Sequence, residues 1–155
     1  MTLSSTAPQR DRSDRIDRVS SQLLPRVAVL TRLLTSQLGC ELSRTELGLL
    51  NTLSSAPRRV TELAELERLA QPTLTQLVQR LERQGLVTRE RHAGDGRVVL
   101  VSLTEAGAAA LEGFRRRARA ALGALLAELP DDEIESLAAA TETMGRLVTV
   151  LQQGR

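Results

Sequence analysis

The sequence predicts a mainly α fold with a small β component (α+β), and three observations carry that expectation. Apolar residues recur at three- and four-residue steps through most of the chain. One stretch after Gly85 switches to strand-like runs, Leu86 to Arg91 and Arg97 to Leu103, around a glycine-bearing turn, His92-Ala-Gly-Asp-Gly96. The helical pattern near the N-terminus is apolar on more than one side, so it requires a partner surface beyond a single core.

Taken in order, Met1 to Ser13 is polar, carries Pro8, and is expected to be a disordered tail. Ser13 can cap a helix to about Leu38, with Ile16, Val19, Leu23, Val27, Leu30 and Leu34 in register. Pro25 is expected to kink or split it. Gly39 ends it. Ser43, with Glu46 three residues on, forms a capping box for a helix through about Ser54. Pro57-Arg-Arg59 reads as a break. Two short helices follow, Thr61 to Leu69 and Gln71 to Gly85, and then the hairpin. Thr104 caps a helix to about Leu129, and Pro130 opens a last one whose first turn holds Asp131, Asp132 and Glu133. Residues 14–40 and 105–152 thus form a helical region, and 41–104 a separate lobe.

Within that lobe, Leu74, Leu77, Val78 and Leu81 make one apolar stripe on the second short helix. Its opposite side carries Pro72, Gln76, Gln79 and Arg83, flanked by Thr75 and Arg80; Gln71 and Thr73 lie in its first turn. Amides, hydroxyls and guanidinium groups are the side chains that pair with base edges and phosphates in a major groove. Two short helices with such an outer face make a helix-turn-helix, and the hairpin makes it winged.

Composition narrows the partners. All 21 basic residues are Arg, and the net charge of +2 argues little by itself. Distribution says more: between Arg68 and Arg97, six Arg face three acids, a local excess of +3 that suits phosphate contact. Phe114 is the single aromatic residue, which excludes a base-stacking platform for single strands or an RNA-binding sheet. No apolar run is long enough to span a membrane, and the N-terminus has no apolar signal core, so a cytoplasmic protein is expected. One Cys forms no internal disulfide.

The run Leu-Thr-Gln-Leu-Val-Gln-Arg-Leu-Glu-Arg-Gln-Gly-Leu-Val-Thr-Arg89, then Asp95-Gly-Arg97, then Val-Ser-Leu-Thr104, resembles the core signature of MarR-type transcriptional regulators. The resemblance is strong over Val60 to Gly107 and extends as a pattern from about Ile16 to Leu151. It departs at two points: Arg68 stands where the family has a small residue in the inter-helix turn, and Ala70 replaces the usual hydroxyl cap. The resemblance implies a homodimeric DNA-binding regulator, usually a repressor, with terminal helices as dimerisation arms. Ile16, Val19, Leu23, Leu137, Met144, Val148 and Leu151 are then the dimer contacts. It also implies release from DNA by a small lipophilic or phenolic ligand, in a pocket that so few aromatics would leave lined by Leu, Val and Ala. Double-stranded DNA is the expected partner. In the wing, Arg97 would enter the minor groove with Asp95 orienting its fork, while Arg89, Arg91 and His92 would meet phosphates.

Rival readings attach to particular residues. Each reading-face residue could belong to an ordinary solvated helix, and Asp95 with Arg97 could be a turn-stabilising surface pair. A winged helix also serves as a protein–protein module without an operator. Cys40 could act as a redox-sensing thiol, since one branch of the resembled family uses a single Cys; that Cys lies near the start of the first helix, and a bland half-buried Cys40 is the favoured reading. A lone His92 makes no metal site, and Arg115 to Arg119 read as a solvated face. No nucleophile elbow, metal spacing or phosphate loop is present, so neither an enzyme nor a cofactor is expected.

Overall fold

The computed structural model describes residues 7–39, 41–92 and 95–154, with side chains described for 10–39, 41–90 and 98–154. The elements are α1 (Ala7–Gln37), α2 (Arg44–Leu53), β1 (Arg58–Arg59), α3 (Val60–Leu66), α4 (Gln71–Arg83), β2 (Val87–His92), β3 (Asp95–Leu103), α5 (Glu105–Leu126) and α6 (Asp131–Gln153). Two compact units emerge, residues 1–117 and 118–155.

The core of the first unit is aliphatic. Leu49, Leu50 and Leu53 of α2 meet Leu63 of α3, Leu74, Val78 and Leu81 of α4, Val87 of β2, Val101 of β3 and Leu111 of α5. Each such side chain contributes about 1.5–3 kcal/mol on burial, so the helices and the wing base share one cooperative core. Leu77, assigned to the same stripe by its spacing, packs against that core only partly buried.

Both helices of the turn motif end in the same way. After α4, Gly85 adopts φ 71°, its N–H donates to the Glu82 carbonyl, and the Leu86 N–H donates to the Leu81 carbonyl. After α3, Arg68 adopts φ 54°, with Arg68 N–H on the Glu65 carbonyl and Leu69 N–H on the Ala64 carbonyl. These paired bonds define a Schellman terminus, whose left-handed residue is usually glycine. The helix expected to reach Leu69 therefore stops at Leu66.

Three other expectations are corrected. Helix α1 begins at Ala7, inside the stretch expected to be a disordered tail; residues 1–6 lie outside the described set. Of the kink or split expected at Pro25, the split does not occur: α1 continues through it as one element. The carbonyl that loses its donor belongs to Ser21, an exposed residue, so water can replace the missing bond. The break at Pro57-Arg-Arg59 contains a strand: Arg58 pairs with Val101 and Arg59 with Leu100, giving an antiparallel sheet in the order β1-β3-β2. A two-residue strand of arginines carries no apolar alternation and exists only because β3 offers it an edge.

The terminal helices leave much apolar surface uncovered. On α1, Val19, Leu24 and Leu33 are more than half exposed. The second unit contains the end of α5 and all of α6, and α6 has no buried residue; Leu147, Val148, Val150 and Leu151 are more than half exposed.

Candidate nucleic-acid interface

Helix α4 divides cleanly. Leu74, Val78 and Leu81 are buried, while Gln71, Pro72, Thr73, Gln76, Gln79, Arg80 and Arg83 are exposed. Ala70 occupies the N-cap with no side-chain bond, as its methyl requires, and Pro72 sits in the first turn. Thr75 is half-buried and its hydroxyl donates to the Gln71 carbonyl at 2.8 Å. The amides of Gln71, Gln76 and Gln79 and the Arg83 guanidinium are exposed, groups of the kind that pair with base edges.

Two arginines expected to contact DNA have partners inside the protein. Arg80 Nε lies 3.1 Å from Glu46 Oε1, and Glu46 is 1% exposed. The capping box that the sequence predicts for Glu46 is present: Ser43 N–H donates to Glu46 Oε2 at 2.7 Å, and Glu46 N–H to Ser43 Oγ at 3.3 Å. Nothing in the sequence spacing connects Glu46 with Arg80; only the packing of α2 on α4 does. Arg89, at the wing base, donates through Nε to Glu82 Oε2 at 2.7 Å, with Nη2 2.5 Å from the same oxygen. Its fork thus joins the outgoing strand to α4.

The wing pairs β2 with β3 from Val87–Leu103 to Arg91–Val99, with an irregularity at His92–Asp95. The side chains of Arg91, His92, Asp95 and Arg97 lie outside the described set, as do Ala93, Gly94 and Cys40. The wing is anchored at its base by Thr104. Its hydroxyl donates to the Gly85 carbonyl at 2.7 Å and accepts the Gly107 N–H at 2.9 Å, so one side chain caps α5 and fixes the exit of α4. Gly107 allows this closeness: a Cβ there would stand 2.0 Å from the Leu86 carbonyl oxygen.

A cavity of about 550 Å³ lies among the end of α1, α2 and residues 111–115 of α5. Leu42, Leu47 and Leu111 line it, as expected of an aliphatic pocket, but so do Phe114 and three arginines, Arg32, Arg44 and Arg115. The expectation of Leu, Val and Ala alone is therefore corrected. Arg115, Arg116, Arg117 and Arg119 are exposed, as expected of a solvated face, and Arg115 Nη2 donates to Asn51 Oδ1 at 2.6 Å. Among the described residues no cluster of His, Cys, Asp or Glu could hold a metal ion, and no helix is long and apolar enough to cross a membrane.

Comparison with known proteins places this geometry. The MarR family model matches residues 41–98, from the loop before α2 into β3. The HTH-type transcriptional regulator Mb0904 of Mycobacterium bovis is 38% identical over 86 residues, which cover 56% of this chain and 60% of that protein. The chain thus matches less than two thirds of this relative's length. Wild-type MarR from E. coli is 26% identical with a TM-score of 0.66, over 80% of this chain and 95% of that one. A Staphylococcus aureus MepR mutant bound to oligodeoxyribonucleotide shares the fold at 18% identity and a TM-score of 0.61, over 82% of this chain and 98% of that one. The MarR family match thus falls on the helix-turn-helix and the wing, and the fold is similar to that of MarR over most of this chain's length.

Proposed function

We propose that this chain is a DNA-binding transcriptional regulator, acting as a homodimeric repressor on a pseudo-palindromic operator. The observation that carries the reading is the division of α4: its aliphatic stripe is buried, and its amide- and arginine-bearing side is free for a groove. Two copies of α4 would enter successive major grooves roughly 34–36 Å apart, with the wings over the flanking minor grooves. The same fold holds an oligodeoxyribonucleotide in the S. aureus protein. The apolar residues left exposed on α1 and on α6 are the kind of surface a dimer would cover.

The cavity lined by Leu47, Leu111 and Phe114 beside Arg32, Arg44 and Arg115 supports a small lipophilic ligand bearing an anionic group, a phenolate or carboxylate. A ligand preferring the DNA-incompetent state by about 1–3 kcal/mol weakens operator binding 5- to 150-fold.

The experiment is duplex selection from genomic fragments, followed by affinity against salt concentration. A DNA reader recovers a symmetric motif and loses affinity steeply as salt rises. Recovery of no motif, with salt-independent binding, would favour a protein–protein role for the winged helix.

A further inference from the structure

Glu46 is the buried charged residue among those described, at 1% exposure. Capping explains one of its oxygens only. Oε2 accepts the Ser43 N–H, a task that an amide or an exposed carboxylate performs equally well. Oε1 is buried and no donor is aligned on it as a hydrogen bond, yet Arg80 Nε stands 3.1 Å away as its counter-charge. A carboxylate withdrawn from water needs such a partner.

The arginine is not withdrawn with it. The Arg80 side chain is 58% exposed, and no other hydrogen bond or ion pair engages it among the described residues. A guanidinium has five N–H donors in a rigid plane. The ion pair keeps Nε beside Glu46, and the two terminal nitrogens, with no other bond among the described residues, are left to a partner outside the chain. Arg80 lies on the flank of the outer face of α4, beside the Gln76 and Gln79 positions that face the groove centre. A flanking guanidinium with two parallel donors matches a backbone phosphate.

We propose that Glu46 is a positioning residue for DNA binding: from the buried side of α2 it holds Arg80 of the recognition helix so that the terminal guanidinium nitrogens meet a phosphate at the edge of the major groove. The inference rests on the DNA-binding reading above. It assigns to Glu46 a role that its place in the capping box does not supply.

The test is a double-mutant cycle on the full chain, E46Q, R80Q and both together, with a duplex selected by the wild type and titrated across NaCl concentrations. R80Q lowers the slope of log affinity against log salt by about one, the release of one phosphate contact. E46Q keeps an acceptor for Ser43 and removes the charge; it weakens binding about fivefold when Arg80 is present and less than twofold in R80Q. R80K keeps the charge without the fork, and should hold the slope while binding as weakly as E46Q. Thermal midpoints of all variants separate loss of fold from loss of contact. An unchanged slope in R80Q, equal weakening by E46Q in both backgrounds, or wild-type affinity in R80K overturns the proposal and leaves the DNA-binding reading intact. Salt-independent duplex binding by the wild type overturns both.

Discussion

Arg68 and Gly85 hold the same position at the ends of consecutive helices. Each is the left-handed residue of a Schellman terminus, at φ 54° and 71°, and each is followed by a leucine whose N–H reaches back across the last turn. Glycine meets no steric penalty there, whereas a residue with a Cβ loses about 1–2 kcal/mol. Part of that difference is offset by the extra chain entropy glycine loses on folding, about 0.5–1 kcal/mol.

Arg68→Gly is therefore expected to stabilise the first unit by about 0.5–1 kcal/mol, raising the melting temperature by about 2–4 °C per kcal/mol. Denaturant unfolding measures it. A loss of stability would mean that the Arg68 side chain makes a contribution larger than its backbone strain.

Gly107 is constrained by space and not by its φ. A Cβ would meet the Leu86 carbonyl oxygen at 2.0 Å and Leu103 Cδ1 at 2.8 Å. The carbonyl belongs to backbone already bonded to the Thr104 N–H, so it cannot simply swing aside. Gly107→Ala is expected to cost about 2–3 kcal/mol, since the clash must open the junction of α4, wing and α5. Thr104→Val, which deletes two hydrogen bonds at the same junction without the clash, is expected to cost about 1–2 kcal/mol. The order of the two urea midpoints checks the assignment; a Gly107→Ala protein as stable as wild type would contradict the close approach.

This junction also marks where sequence reading succeeds and where it stops. The stripe of Leu74, Val78 and Leu81, the Ser43–Glu46 box and the glycine end of α4 were legible because each is a local pattern fixed by helix periodicity or by one residue's backbone. The strand at Arg58-Arg59, the Glu46–Arg80 pair and the Arg89–Glu82 fork were not. Each depends on which elements pack together, and a charged side chain carries no periodic sign of whether it will face solvent or a partner. Phe114 and three arginines around one cavity were missed for the same reason: they come from residues far apart in the chain.

On the reading face, Gln76 is exposed at the middle of α4, and its amide can give two hydrogen bonds to an adenine edge. Gln76→Ala should relax preference at one base step by about 1–3 kcal/mol while leaving the salt slope unchanged, since no charge is removed. Selection from a random duplex pool compares the two proteins directly. Recovery of an identical motif would remove Gln76 from base readout and shift attention to Gln79.

The last expectation concerns the apolar residues left bare at both ends of the chain. On α1, Ile16 and Val19 are 47% and 57% exposed, and on α6 Val148 and Leu151 are 51% and 73% exposed. None belongs to the aliphatic core built by α2 to α5, so charging one of them should leave the winged lobe folded. In a dimer the same change buries an unpaired carboxylate, at several kcal/mol. Val19→Glu and Val148→Glu, made separately, are each expected to shift the protein to monomer in sedimentation velocity, with melting of the lobe little changed. Because a palindromic operator is held through two linked contacts, the monomers should bind it at least about 100-fold more weakly, while binding to a single half-site stays near its wild-type value. Variants that remain dimeric with full operator affinity would show that these faces are not where two copies meet.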